Sequence, residues 1–199
     1  MQMNAEELRE IVIKSYKLTV LMPKPSKKEG KYAIESRSKF KSLPEALRQM
    51  EDASASITHF VKSAAYFLPR KDAGTRPDQM LPFMDRLLEY VNELNGSGVD
   101  AEKVREKLQY LIGYANWNAD AICAVLTANG GDKAKSEGTI RNMLEAELKV
   151  VGAGDEVEKV FELVKGWLPY AGDVHGGAEG RDRVQWGQAR TGQQQRRRY

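Results

Sequence analysis

Apolar residues recur at helical spacing along most of the chain. After Asn4, a good N-cap, Leu8, Ile11, Val12, Ser15, Leu18 and Leu21 follow the helical period, and Glu6 and Glu7 stand near the positive end of the helix dipole. Met22-Pro-Lys-Pro25 ends this first helix. Residues 23–42 show no sustained apolar period, although Tyr32, Ile34 and Phe40 can anchor the segment or form a short hairpin. Ser42-Leu-Pro-Glu45 reads as a capping box with proline in the first turn, which predicts a second helix from Ser42 to Leu68, before Pro69. Its apolar side carries Leu47, Met50, Ile57, Val61, Ala64 and Leu68.

Asp78 caps a third helix running to about Leu94, with Leu81, Met84, Leu87, Leu88 and Val91 on its apolar side, and Asn95-Gly-Ser-Gly98 breaks the chain. Asp100 caps the fourth and longest helix, to about Thr127, which Asn129-Gly-Gly131 ends. Ser136 opens a fifth with Ile140, Met143, Leu144, Leu148 and Val151. Asp155 opens a sixth with Val157, Val160, Phe161, Val164 and Leu168, closed by Pro169. The expectation is an all-α fold: a single-domain bundle of about six helices over residues 1–170, with a basic loop at 23–42 and a flexible Gly/Gln/Arg-rich tail at 171–199.

Charge sharpens this picture. The whole chain carries a net +3, but residues 23–42 alone carry +5 and residues 171–199 carry +3, so the helical body is mildly acidic. Flexible lysines and arginines of this kind release counterions from a phosphate backbone without needing exact geometry. Lys27, Lys28, Lys39 and Lys41 are the candidates in the first segment, while the Gln193-Gln-Gln-Arg-Arg-Arg198 end can equally be a terminus with no role.

Two helices add candidate faces. Projected at about 100° per residue, Leu108, Ile112, Ala115, Ala119, Ile122 and Leu126 form the core stripe of the fourth helix. Lys103, Lys107, Tyr110, Tyr114 and Trp117 cluster on its other side, the combination of rings and cations used by single-strand binders. The plainer reading is a central helix buried on two sides, its rings packing on a second layer. On the second helix, His59, Lys62, Tyr66 and, just beyond it, Arg70 and Lys71 make a basic strip, which can equally be a solvated face.

Catalytic chemistry finds little to stand on. His59 and His175 are the only histidines, and Cys123, the only cysteine, lies beside the core stripe as a small buried hydrophobe. There is no phosphate loop, nucleophile elbow or Asp-x-Asp pair, and Gly152-Ala-Gly154 follows a helix, so it is a turn and not a dinucleotide fingerprint. No cofactor, metal or enzyme activity is expected. With no apolar run near the roughly 20 residues that cross a bilayer and no secretion signal, a membrane is not an expected partner and the cytoplasm is the expected location.

Three stretches occur in a telling order: Ile57 to Leu68, then Lys107-Leu-Gln-Tyr-Leu-Ile-Gly-Tyr-Ala-Asn116, then Val160 to Tyr170. In that order they resemble the small helical subunit of type III CRISPR effector complexes, the Csm-type small subunit. Where that family places an arginine after the tyrosine-alanine pair, this chain has Asn116 and Trp117. The resemblance implies a non-catalytic subunit of an RNA-guided interference ribonucleoprotein. Its partners would be guide RNA, target nucleic acid, other effector subunits and further copies of itself, and it would contact backbone and shape rather than base sequence. The alternatives are a self-assembling nucleic-acid-packaging protein of capsid or chromatin type, and an enzyme or regulator whose helical body binds a protein or small molecule.

Overall fold

The computed structural model describes residues 3–48 and 77–169. Among these, the fold is all-α: α1 (Ala5–Thr19), α2 (Arg37–Arg48), α3 (Pro77–Gly96), α4 (Ala101–Ala128), α5 (Lys133–Val150) and α6 (Val157–Trp167). A two-stranded antiparallel hairpin, β1 (Ser26–Lys28) and β2 (Lys31–Ala33), precedes α2. None of the described helices is long and apolar enough to cross a membrane. The tail at 171–199, the strip of His59, Lys62, Tyr66, Arg70 and Lys71, and the second helix beyond Arg48 lie outside the described residues.

Helix starts follow side-chain capping. Asn4 accepts from the Glu7 amide at 2.8 Å while the Glu7 carboxylate accepts from the Asn4 amide, a full capping box. Asp100 caps α4 through the Lys103 amide as the sequence suggests. At α5 the cap is Asp132, not Ser136: an aspartate directly after the Gly130-Gly131 turn captures the Lys135 amide, which leaves Ser136 buried inside the helix. Asp155 does not open an α-helix either. It sits in a 3-10 turn (Gly154–Glu156) and binds Arg9 of α1 at 3.1 Å.

Residues 23–42 are not one loop: they form the short hairpin that the sequence allows, and the largest departure is that α2 begins within them. Glu29 and Gly30 both adopt positive φ, the geometry of a tight turn whose twist matches the flanking strands, and so pair Lys27 with Tyr32. The chain then breaks at Ser36 (φ +58°), and α2 begins at Arg37, five residues before the capping-box reading places it. Ser42 therefore lies within the helix and donates to the Lys39 carbonyl instead of capping. Phe40, Leu43 and Leu47, at helical spacing, are completely buried.

The same shift puts Pro44 inside α2, where it has no amide to give the Phe40 carbonyl. Asn116 of α4 repairs the defect. Its amide nitrogen donates to Phe40 O at 2.9 Å and to Ile112 O at 2.9 Å, while its oxygen accepts from the Arg37 guanidinium. Arg37 also donates to the Asn116 carbonyl and, through Nε, to Asp120 at 2.7 Å. Asparagine has two donors and an acceptor to offer, and here all are used.

The core runs along α4, whose expected stripe of Leu108, Ile112, Ala115, Ala119, Ile122 and Leu126 is fully buried. On one flank lies α1, held by Thr19 Oγ1 donating to Ala115 O and by Asn118 donating to Ser15 Oγ. Tyr16 of α1 donates to Glu147 of α5, and Trp167 of α6 donates to Met22 O at 2.9 Å, which ties α5 to α1 and α6 to the turn that follows α1. In α3 the buried face is Met80, Phe83, Met84, Leu87, Tyr90 and Val91, leaving Leu81 38% exposed. Aromatic rings carry more area than leucine, so the helix turns them inward, and Phe83 meets Phe40 edge-on at 5.0 Å. Cys123 is buried as expected, and that burial pushes its thiol up to about 11.

Replacing Asn116 by alanine strands the Phe40 carbonyl and removes one acceptor from the Arg37 guanidinium, which keeps Asp120 and the backbone carbonyl of residue 116. Asn116→Ala should lower unfolding free energy by about 3 kcal/mol in urea titrations, and a loss under about 0.5 kcal/mol would show that solvent replaces these bonds cheaply.

Candidate nucleic-acid interface

Buried contacts take up much of the circumference of α4. α1 lies along one side, through Ala115 and Asn118, α2 and the hairpin along another, through Asn116 and Thr127, and α3 and α5 also contact the helix. The side facing away from the core carries Tyr110, Gly113, Trp117, Ala121, Ala124 and Ala128, which fall on one stripe when projected at about 100° per residue. No charged side chain stands on that stripe between Tyr110 and Ala128. Asp120 borders it and is bound by Arg37 and Lys41.

Aromatic surface dominates the middle of this ridge. Trp117 is 68% exposed and Tyr110 42%. Tyr114 is half-buried, packs against the core and stacks with Trp117, ring centroids 6.1 Å apart and planes 29° apart. The plainer sequence reading, rings packed on a second layer, thus describes part of Tyr114 and not Trp117. One ring is anchored and supports its neighbour, whose outer face meets water.

The lysines of α4 are placed differently from the sequence reading. Lys103 and Lys107 do not project beside the rings as open cations. Both reach across to one carboxylate oxygen of Glu7 on α1, at 3.2 Å and 3.0 Å, and Lys107 is only 17% exposed. Hydrogen bonds from Lys107 and then Lys103, with the Asn4 amide, hold the Glu7 carboxyl down at about 2. Periodicity within α4 puts these lysines near the rings, but the anion that captures them belongs to another helix.

On the opposite flank the cations follow the hairpin and α2. Lys27 lies over the Tyr32 ring at 5.9 Å, and Lys28 and Lys31 flank the exposed turn. The hairpin is fixed to the far end of α4 by the Tyr32 amide donating to Thr127 Oγ1 at 2.9 Å. Tyr32 also closes over Gly131, where an added Cβ would come within 2.2 Å of its hydroxyl oxygen. Lys39 is half-buried, and exposed Lys41 pairs with Asp120 at 3.2 Å. Burial raises the Asp120 carboxyl, but Arg37 and then Lys41 outweigh it and hold the group below its usual range.

The structure therefore brings Arg37 and Lys41 next to the Trp117 ridge and sets Lys27 and Lys28 further along the same flank. Lys103 and Lys107 are on the α1 side, near the other end of α4. Arg37, Asn116 and Glu7 escape a search for cationic and aromatic faces, since each acts through a partner distant in sequence. Fold and surface together define an all-α bundle with an aromatic ridge on its central helix. Compared with known proteins, the chain matches no family model, and neither curated sequences nor solved structures give a match.

Glu7 gives the site a pH signature. Its carboxyl is depressed from 4.5 to about 2, so its contribution to stability is present above about pH 4.5 and is lost as pH falls towards 2. Melting temperatures measured across that window should fall less steeply for Glu7→Gln than for the wild type, and parallel curves would contradict the assignment.

Proposed function

We propose that this protein is a non-catalytic, cytoplasmic nucleic-acid-binding subunit that holds a single strand along the solvent-facing ridge of α4. The observation that carries the reading is Trp117: a large ring, mostly exposed, supported from behind by Tyr114 and followed along the helix by Tyr110. Every base has a π-face, so such a platform binds strands with little sequence preference. About 15 Å further along α4, at 1.5 Å per residue, Thr127 anchors the hairpin that presents Lys27 and Lys28, within reach of the same backbone. Arg37 and Lys41 line the intervening flank and together outweigh Asp120 by one charge.

The resemblance to the small subunit of type III CRISPR effector complexes gives this reading its particular form. In it the strand is guide RNA or its paired target, and the protein stabilises an RNA-guided interference ribonucleoprotein beside other subunits. Trp117, at the place where the family has an arginine, would substitute stacking for a phosphate contact. A second reading, docking of a partner helix, draws on Ala121, Ala124 and Ala128, small uncharged residues that continue the ridge and allow close approach.

Fluorescence anisotropy with labelled single-stranded RNA separates the two. Trp117→Ala should weaken binding roughly 5- to 150-fold, the equivalent of about 1–3 kcal/mol of stacking, while leaving the melting temperature unchanged. Replacing Lys27 and Lys28 by glutamine should flatten the plot of log affinity against log salt by roughly 0.7 per lysine. Binding indifferent to Trp117 and to salt would move the ridge to the helix-docking reading.

A further inference from the structure

Beside Tyr110, at the α1 edge of the ridge, lies a cavity of about 150 Å³ lined by Asn4, Glu7, Lys103, Glu106, Lys107 and Met3. At that volume it admits on the order of ten water molecules. Lys103 and Lys107, one helical turn apart, both aim their ammonium groups at a single oxygen of Glu7. Two cations converging on one oxyanion is the arrangement a phosphodiester oxygen would receive. Glu7 is only 19% exposed and its second oxygen is held by the Asn4 amide at 3.3 Å, so the carboxylate sits where a ligand oxygen would be. With Glu106 on the wall the cavity is electrically balanced as it stands, and an incoming anion is accommodated only when Glu7 turns out to solvent. Such a swing gives up the Asn4 amide bond but keeps the other half of the α1 cap, the Glu7 amide donating to the Asn4 side chain.

We infer that the Lys103–Lys107 cavity is a backbone-phosphate subsite adjoining the Tyr110 ring, and that the Glu7 carboxylate occupies it in competition with the strand. The inference rests on the reading of the ridge as a single-strand platform. It adds a site for the phosphate next to the base on Tyr110, on the flank opposite the hairpin lysines. Binding at this subsite is weak while Glu7 holds the lysines and strengthens when the carboxylate loses its charge or is shortened.

Glu7→Gln is the direct test, since glutamine keeps the length and can still accept from the Asn4 amide. Affinity for a labelled single-stranded RNA is measured between about 50 and 200 mM salt for wild type, Glu7→Gln, and Glu7→Gln combined with Lys103→Gln. The subsite predicts that Glu7→Gln binds about tenfold tighter at the lower salt, and that its log–log salt slope steepens by roughly 0.7 for each released lysine. Lys103→Gln should take back about half of that extra slope, and should change little when Glu7 is present. A folded Glu7→Gln with wild-type affinity and slope, in a protein that binds RNA and loses binding on Trp117→Ala, overturns the subsite and leaves the ridge standing. If neither the wild type nor Glu7→Gln binds, the ridge and the subsite fall together. Should Glu7→Gln not fold, Glu7→Asp takes its place: the shorter carboxylate withdraws from both ammonium groups, so a smaller rise in affinity is expected and unchanged binding overturns the subsite.

Discussion

One buried asparagine holds the two halves of the ridge's surroundings together. Asn116 supplies the hydrogen bond that Pro44 denies to the Phe40 carbonyl, and its oxygen receives Arg37, which in turn ties down Asp120. Without it α2 would carry an orphaned carbonyl against the core. Arg37 is placed by this contact, while Lys41 is held by Asp120 and the hairpin lysines by the bond from the Tyr32 amide to Thr127. Breaking such a node costs far more than making it contributes, because the groups left behind are already desolvated.

Electrostatics then decides which parts of the surface can meet a partner. Several of the expected cations are engaged within the protein: Lys103 and Lys107 by Glu7, Arg37 and Lys41 by Asp120. Lys107, Glu7 and Arg37 are largely buried in these pairs, so a polyanion reaches their cations only by displacing the carboxylate that holds them. Stacking on a ring that already faces water involves no such exchange. For that reason the aromatic ridge, and not the charge count, is the centre of the proposed interface. The hairpin lysines add a salt-dependent component on one flank.

Much of the bundle was legible from apolar spacing. The core stripe of α4, the buried faces of α5 and α6, and the caps at Asn4 and Asp100 all follow from local patterns, and local patterns are what periodicity reads. The helix starts at Ser136 and Asp155 were misread from local signals; three further features were not legible, and each has a long-range cause. The start of α2 depends on a left-handed Ser36 and on Asn116 tolerating Pro44 inside a helix, so the capping-box pattern at Ser42 misplaced it. The rotation of α3 depends on Phe83 finding Phe40. On the candidate interface, Tyr110 and Trp117 were visible as an unusual face of α4, whereas the capture of Lys103 and Lys107 needed the placement of α1, which no spacing within α4 encodes.

Under the proposed function a single strand lies on the ridge of α4. Ultraviolet cross-linking of bound single-stranded RNA, followed by mass spectrometry of the peptides, reports the contacted side chains directly. A strand on the ridge gives adducts within residues 110–117, at Trp117 and Tyr110 above all, with few on α5 or α6. Adducts concentrated around Met143 or Phe161, with none on the ridge, would contradict it.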